Sequence, residues 1–308
     1  MQYKDWLNTW LEIYVKPTVK MQTYARYKHI AQNHISKSLG EFELGELSAI
    51  DLQRFIVELS EVKRFASNTV NSIITVIRRS MQTAVSIGLL DREYSNKICR
   101  PKTVEKEVNS FSVKEQRAIE KYVLQNLDNT KLFGIVLCLY TGLRIGELLA
   151  LKWESIDLSH GIIFVNSSCH DEYKNGKLVK FIDAPKTKNS IRIIPIPKQI
   201  MPYLKRIKRG ATSEYIVSGK KEVGVRSYQK TFECVLRKLN IPHKGFHSLR
   251  HTFAMRAIES GMDVKTLSEL LGHKNPDITL KRYTHSMLDH KREMMNVLGK
   301  KLVGFCDG

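Results

Sequence analysis

Residues 246–254 read FHSLRHTFA, and they place His247 three positions before Arg250, where a helix is predicted to begin. Side chains at this spacing share one face of a helix. Further on, His273 follows a leucine–glycine pair and Tyr283 lies in a basic segment. Arginine binds phosphate through paired hydrogen bonds, histidine moves protons and a tyrosine hydroxyl can act as a nucleophile. Together these side chains are the parts for attacking a phosphodiester without a metal.

A second arginine of interest lies in residues 141–147, TGLRIGE. Gly142 marks a turn between an apolar helix predicted over residues 132–140 and a shorter helix that begins directly after Arg144. The start of a helix offers unpaired N–H groups to an anion, and Arg144 would add its own donors to the same anion. Glu147, one turn later, can hold the guanidinium in place. Taken alone, however, a surface Arg–Glu pair at helical spacing is the simpler interpretation.

The composition favours a nucleic-acid partner. The chain has 308 residues, which suggests two domains, and its 50 Lys and Arg against 31 Asp and Glu give a formal net charge of +19. A basic but inert surface is the alternative.

The five cysteines are scattered without metal-ligand spacing, the N-terminus shows no signal-peptide pattern and no apolar run is long enough to cross a bilayer. These features predict a reducing intracellular setting, with neither a structural zinc nor a disulfide framework.

Residues 1–100 are predicted to form an independent helical bundle. Apolar residues follow the helical spacing most clearly between Val70 and Ala84, and Gly88 ends that helix. Ser48, followed three positions later by Asp51, resembles a capping box that opens an earlier helix running through Leu59.

Residues 101–111 are predicted to be a linker, and residues 112–308 a second domain that opens with a capping box at Ser112. Helices are expected to about Leu151 and again from Met201 onward. Between them, β-branched and apolar runs joined by turns predict a small antiparallel sheet. These runs are residues 161–165, 180–183 and 191–196. The predicted fold class is therefore mainly α with a small antiparallel β-sheet, α+β.

Each candidate residue of the second domain also has a purely structural interpretation. His247 can cap its helix, and Tyr283 can be a core aromatic. His273 can interact favourably with the negative end of the dipole of the helix that ends before it. Lys186 lies in the predicted hairpin PKTKNS, where lysines usually serve solubility, although a hairpin lysine could also reach a groove and give a proton to a leaving oxygen. His251 is predicted to be structural or a spectator. The joint occurrence of these residues decides the matter.

Taken together and in this order, four segments resemble the tyrosine site-specific recombinase (phage integrase) family. They are residues 141–147, 247–254, 271–273 and 283–285. The resemblance covers the whole second domain, and the helical first domain with its linker is similar to the family's core-binding domain. The implied fold is an N-terminal helical core-binding domain followed by a C-terminal tyrosine-recombinase catalytic domain with a tail helix.

The resemblance implies a DNA strand transferase in which Tyr283 is the nucleophile. Its hydroxyl would attack the scissile phosphate, leaving a 3′-phosphotyrosine and a free 5′-hydroxyl. Arg144 and Arg250 would bind the non-bridging oxygens and stabilise the transition state. No metal and no other cofactor is implied, because the phosphotyrosine retains the energy of the broken bond and the partner strand's 5′-hydroxyl reverses the step.

Three further catalytic roles are carried over in the same way. Lys186 would protonate the departing 5′-oxygen, His247 would assist proton transfer at the tyrosine, and His273 would hydrogen-bond the phosphate. Lys188 is an alternative for the lysine, although Lys186 better matches the family's position before the next strand.

The implied partner is double-stranded DNA carrying recombination sites, bound by a homotetramer whose protomers exchange an amphipathic tail within residues 287–302. Accessory DNA-bending or excision factors are possible partners, and no membrane is implied. The expected setting is the cytoplasm, where a bacterial or phage-encoded enzyme would integrate or excise a mobile element such as a phage or conjugative transposon.

Several alternatives stay open on the sequence. They are a Xer-like resolvase of chromosome or plasmid dimers, a catalytically silent DNA-binding relative and a relaxing topoisomerase of the same chemistry. Integrases of the lambda and conjugative-transposon kind often carry an additional N-terminal arm-binding domain. This chain begins directly at the bundle, which fits a simple recombinase or one from which that domain was removed.

Overall fold

A computed structural model describes residues 1–92, 94–102, 109–174, 177–183, 191–217, 223–273, 275, 292 and 295–299. The chain divides into two compact units, Met1–Lys106 and Glu107–Gly308. Among the residues described, no helix is long and apolar enough to cross a membrane.

The first unit is helical. Its α-helices are α1 (Tyr3–Thr9), α2 (Met21–Ile30), α3 (Ser36–Leu39), α4 (Ala49–Val57) and α5 (Ser67–Ser86). Three of them continue into a π-helical turn, over Trp10–Val15 after α1, Ala31–Ile35 after α2 and Glu58–Val62 after α4, and a 3₁₀ turn covers Ser95–Lys97.

The longest helix of this unit, α5, confirms the periodicity predicted from the sequence. Val70, Ile73 and Ile77 on its inner face are completely buried. Beyond its end, Gly88 has a φ of +74°, a conformation that favours glycine. The capping box at Ser48 is also present, because its hydroxyl accepts the Asp51 N–H and the Asp51 carboxylate accepts the Ser48 N–H. Local signals therefore predicted the first unit well.

The second unit combines helices with short strands. Its helices are α6 (Val113–Gln125), α7 (Thr130–Thr141), α8 (Ile145–Ala150), α9 (Met201–Arg209), α10 (Val225–Lys238), α11 (His247–Glu259) and α12 (Val264–Leu271). Its strands are β1 (Ile156–Asp157), β2 (Ile162–Val165), β3 (Ser168–Lys174), β4 (Lys177–Asp183) and β5 (Arg192–Pro195), and 3₁₀ turns cover Trp153–Ser155 and Lys198–Ile200. The capping box predicted at Ser112 opens α6.

The strands form two sheets rather than the single predicted one. β1, β2 and β5 make an antiparallel sheet in which Ile163 lies opposite Ile194. The predicted run at residues 180–183 instead belongs to β4, which among the described strands pairs with β3 alone, in a separate hairpin. The expectation of one sheet was wrong because β3 has a mostly polar sequence, SCHDEYK, that gives no apolar signal, so the true partner of β4 was not recognised.

Helix α7 lies at the centre of this unit. Most of its residues are buried, including Cys138, which is completely buried in the core. A Cβ at Gly134 would lie 2.4 Å from the Tyr228 hydroxyl oxygen, so the missing side chain permits the close approach of α10. Helix α11 also packs against α7, and Arg250 in its first turn bonds to the Gly142 carbonyl at the end of α7. This junction carries the candidate site.

Candidate active site

The site begins at the end of α7, where the chain turns sharply. Gly142 adopts a left-handed conformation with a φ of +65°, and a Cβ there would lie 2.5 Å from the Phe253 ring. The Thr141 hydroxyl donates back to the Leu137 carbonyl at 2.5 Å and closes the last turn of the helix. Two residues later, Arg144 is the N-cap of α8 in an extended conformation. The turn therefore places Arg144 at a helix start, as predicted.

Glu147 accepts hydrogen bonds from two atoms of Arg144, one in the backbone and one in the side chain. The Arg144 backbone N–H donates to one Glu147 carboxylate oxygen at 2.8 Å, and Arg144 Nη1 donates to the other, also at 2.8 Å. The side chain of Glu147 is 5 % exposed, whereas that of Arg144 is 36 % exposed. The sequence prediction that Glu147 fixes the guanidinium is confirmed, but the pair is not a simple surface ion pair.

A third residue, Arg192 at the start of β5, completes this ion-pair cluster. Arg192 Nη1 and Nη2 donate to the two Glu147 oxygens at 3.0 and 2.9 Å. Burial alone would raise the pKa of Glu147, but the hydrogen bonds and charge of Arg192, followed by the charge of Arg144, outweigh it and lower the pKa to about 2. The carboxylate is therefore ionised throughout the physiological range.

Arg250 lies in the first turn of α11 and is 1 % exposed. Its Nη1 donates to the Gly142 carbonyl at 2.8 Å and its Nη2 donates to the Leu271 carbonyl at 2.5 Å. A buried guanidinium is costly unless its donors are satisfied, and here two helix-end carbonyls accept from it. These bonds join α11 to the ends of α7 and α12.

Helix α12 ends in a left-handed glycine, Gly272, with a φ of +61°. The Gly272 N–H donates to the Glu269 carbonyl and the His273 N–H donates to the Ser268 carbonyl, the backbone pattern that typically closes a helix. The next three carbonyls in the chain accept from arginines. The distances are 2.6 Å from Arg192 Nε to Leu270 O, 2.5 Å from Arg250 Nη2 to Leu271 O and 3.2 Å from Arg144 Nη2 to Gly272 O.

The two histidines of the FHSLRH segment lie one turn apart on α11. His247 is the first residue of the helix and is exposed, and its ring meets the His251 ring edge-to-face with centroids 4.5 Å apart. His251, predicted to be structural or a spectator, is thus a direct neighbour of the predicted catalytic histidine. His273 follows Gly272 and is partly buried.

The structure brings Arg144, Arg250 and the segment before His273 together around the end of α12. Lys186 and Tyr283 lie outside the described residues. The sequence reasoning missed Arg192, which it treated only as part of a strand. The available signal was a single arginine in the otherwise apolar run 191–196, where a charged side chain needs a partner if it points inward.

Comparison with known sequences identifies the family. Residues 106–290 match the Phage integrase family, and residues 2–60 match the N-terminal SAM-like domain of phage integrases. The first match alone spans more than half of the chain. The chain belongs to the phage integrase family. This tyrosine recombinase also has relatives that are similar along nearly its whole length.

Two such relatives are a XerC-like tyrosine recombinase and a mobile-element integrase. The first, from Caldanaerobacter subterraneus, is 31 % identical, and the match covers 96 % of this chain and 82 % of the relative. The second, the ICEBs1 integrase of Bacillus subtilis, is 28 % identical over 91 % of this chain and 78 % of the relative.

Solved structures of integrases share the fold of this phage integrase family member. The Tn1549 transposon integrase in complex with transposon right end DNA superposes with a TM-score of 0.81 at 20 % identity, covering 97 % of this chain and 100 % of that chain. A lambda integrase dimer bound to a core site superposes with a TM-score of 0.70 at 17 % identity, covering 93 % and 79 %. At these identities the likeness establishes the fold.

Proposed function

We propose that this tyrosine recombinase integrates or excises a mobile element by cutting and rejoining duplex DNA through a 3′-phosphotyrosine, with Tyr283 as the nucleophile. The observation that carries the proposal is the convergence of Arg144 and Arg250 on the end of α12, directly before His273, in a chain of this family. The proposed catalytic set is Arg144, Lys186, His247, Arg250, His273 and Tyr283.

The charge of the cluster suits a phosphodiester. Three guanidiniums and one carboxylate, those of Arg144, Arg192, Arg250 and Glu147, leave two positive charges in excess, and three of these four side chains are nearly inaccessible to solvent. Arg144 is the accessible member and can donate to a non-bridging oxygen. Arg250 supplies a fixed charge from the interior. Fixed donors near a phosphate stabilise the charge that grows in the transition state more effectively than mobile water does.

The reaction needs one proton removed and one supplied. The Tyr283 oxygen would bond to phosphorus while the bond to the 5′-oxygen breaks. His247 would help to accept the phenol proton, Lys186 would give a proton to the departing 5′-oxygen, and His273 would hydrogen-bond the phosphate. The exposed position of His247 at the start of α11 supports an encounter with a substrate. The free 5′-hydroxyl of a partner strand then reverses the step, so no metal or other cofactor takes part.

The proposed partner is double-stranded DNA, bound by a homotetramer through exchange of the C-terminal tail in the cytoplasm. The net charge of +19 favours a polyanion. Among proteins of the same fold, a lambda integrase tetramer is bound to a Holliday junction and the Tn1549 integrase is bound to transposon DNA. Accessory DNA-bending or excision factors would set the direction of the reaction.

A second candidate role is resolution of chromosome or plasmid dimers, because a XerC-like recombinase is among the similar relatives. The two roles use the same chemistry and differ in the sites that are joined. Mapping the junctions produced in cells carrying the gene separates them. Junctions between an element end and the chromosome support integration, whereas conversion of plasmid dimers to monomers at an identical repeated site supports resolution.

The chemistry is tested with a nicked suicide duplex taken from the end of the element, incubated with the protein in EDTA. We expect a covalent protein–DNA adduct that resists denaturant and disappears in Tyr283→Phe while DNA binding persists. Tyr122→Phe, on α6, is the matched control and should form the adduct normally. An adduct that survives Tyr283→Phe would disprove the nucleophile, and an adduct that requires divalent metal would disprove the mechanism.

A further inference from the structure

The end of α12 is held by three arginines that come from three different elements. Arg144 caps α8, Arg192 begins β5 and Arg250 lies in α11. They donate to three consecutive carbonyls, those of residues 270–272. The carbonyls at a helix end lack partners within the helix and carry the negative end of its dipole, so guanidiniums are favourable there. The end of α12 is thus a scaffold that sets the relative positions of three positive charges.

Arg192 has almost no access to a substrate, and in this it resembles Arg250, which is 1 % exposed. The Arg192 side chain is 6 % exposed, and all three of its guanidinium nitrogens donate to protein acceptors: Nε to Leu270 and the two Nη atoms to Glu147. Arg144, in contrast, is 36 % exposed. A phosphate that reaches the cluster therefore meets Arg144 rather than Arg192.

Arg192 contacts both Glu147, which binds Arg144, and the end of α12, which leads to His273. Through Glu147 it acts on Arg144, because the same two carboxylate oxygens accept from both arginines. Through the Leu270 carbonyl it acts on the end of α12, three residues before His273. Arg144 also bonds to Glu147, but the carbonyl that it reaches, that of Gly272, lies one residue beyond α12.

Removing Arg192 would change the charge balance at Arg144. Glu147 would keep its negative charge but lose its bidentate partner, and Arg144 would be its remaining ion-pair partner among the described residues. Removing one partner of a buried ion pair leaves a buried charge uncompensated, and the oxygen lone pairs that Arg192 used become available to Arg144. Arg144 would then be drawn toward Glu147 and be less available to a phosphate oxygen.

We propose that Arg192 is a positioning residue for DNA strand cleavage: without contacting DNA, it shares Glu147 with Arg144 so that Arg144 can bind the phosphate, and it pins the end of α12 that leads to His273. This inference rests on the proposed function. It assigns to Arg192 an effect on the rate of cleavage and not on the affinity for DNA.

The test measures single-turnover cleavage of the suicide duplex at saturating protein, together with DNA affinity. We expect Arg192→Met to lower the cleavage rate about 10²-fold, the size of effect that follows from displacing one catalytic group by about 1 Å. DNA affinity should stay within about twofold of the unchanged protein, since an interior side chain makes no phosphate contact. Arg206→Met, whose side chain is 66 % exposed on α9, is the matched control and should cleave at the normal rate.

A double variant distinguishes positioning from a general loss of structure. Glu147→Gln alone should slow cleavage, because it releases Arg144. When Glu147→Gln is combined with Arg192→Met, the double variant should cleave about fivefold or more faster than Arg192→Met alone. The reason is that the double variant lacks the uncompensated carboxylate that holds Arg144. A purely structural role predicts that the two losses add.

Each outcome decides for or against the proposal. If Arg192→Met cleaves normally, or if its loss lies in DNA affinity, the proposal is overturned. If Arg192→Met does not fold, Arg192→Lys and the double variant are measured instead. A lysine cannot make the paired contacts to Glu147, so normal cleavage by Arg192→Lys would overturn the proposal. Absence of any adduct with the unchanged protein would instead refute the proposed function.

Discussion

Replacing Glu147 by glutamine should destabilise the second unit strongly at neutral pH and less so in acid. The carboxylate is 5 % exposed and accepts from both Arg144 and Arg192. Glutamine preserves the shape of the side chain but carries no charge and has only one acceptor oxygen. Both arginines would therefore lose their ion-pair partner, and Arg192, whose side chain is 6 % exposed, would lose it in a place that water hardly reaches.

The magnitude follows from the pKa of Glu147. The protein lowers this pKa from 4.5 to about 2, and each pKa unit corresponds to about 1.4 kcal/mol, so the ionised carboxylate contributes about 3 kcal/mol at pH 7. Breaking a buried ion pair by removing one partner costs a similar amount, roughly 3–5 kcal/mol. We therefore expect Glu147→Gln to lower the free energy of unfolding by about 3 kcal/mol at pH 7.

The pH dependence has a definite sign. A carboxyl group with a lowered pKa contributes its full stabilisation above the unfolded value of 4.5 and loses it as the pH falls toward the folded value of about 2. The difference between the unchanged protein and Glu147→Gln should therefore narrow to about 2 kcal/mol at pH 3.5.

The assay is urea unfolding followed by NMR of isoleucine methyl groups. The methyl signals of the buried Ile163 report on the second unit, and those of Ile73 report on the first. Glu154→Gln, a change at a carboxylate that is 76 % exposed, is the control and should have almost no effect. A loss below about 1 kcal/mol at pH 7, or a difference that stays constant down to pH 3.5, would refute the reasoning.

Two further changes test local features of the second unit. Gly142→Ala should lower the unfolding free energy by about 2 kcal/mol or more, because alanine is strained at a φ of +65° and its Cβ would lie 2.5 Å from Phe253; thermal unfolding measures this. Asp171→Asn should cost about 1 kcal/mol, because Asp171 accepts the Val225 and Arg226 N–H groups at the start of α10, both at 2.9 Å, and an amide has one acceptor oxygen. Faster hydrogen exchange of these two amides would confirm the second expectation, and unchanged exchange would contradict it.

Much of the fold follows from signals that act within a few residues. The capping boxes at Ser48 and Ser112 and the turn at Gly142 were predicted because a cap or a helix stop depends on its immediate neighbours. The pairing of β4 was not predicted, since its partner β3 is polar and since a strand's sequence does not specify its neighbour. The candidate residues Arg144, His247 and Arg250 were recognised from motif and spacing.

By itself, the sequence determined which residues begin and end helices, which faces are apolar and which motif identifies the family. Only the tertiary structure decided that Arg192 joins the site. Its bond to Leu270 spans 78 positions of the chain and its ion pair with Glu147 spans 45. Such contacts depend on how β5, α8 and α12 pack together, and packing is set by the whole core rather than by the residues that surround an arginine in the chain.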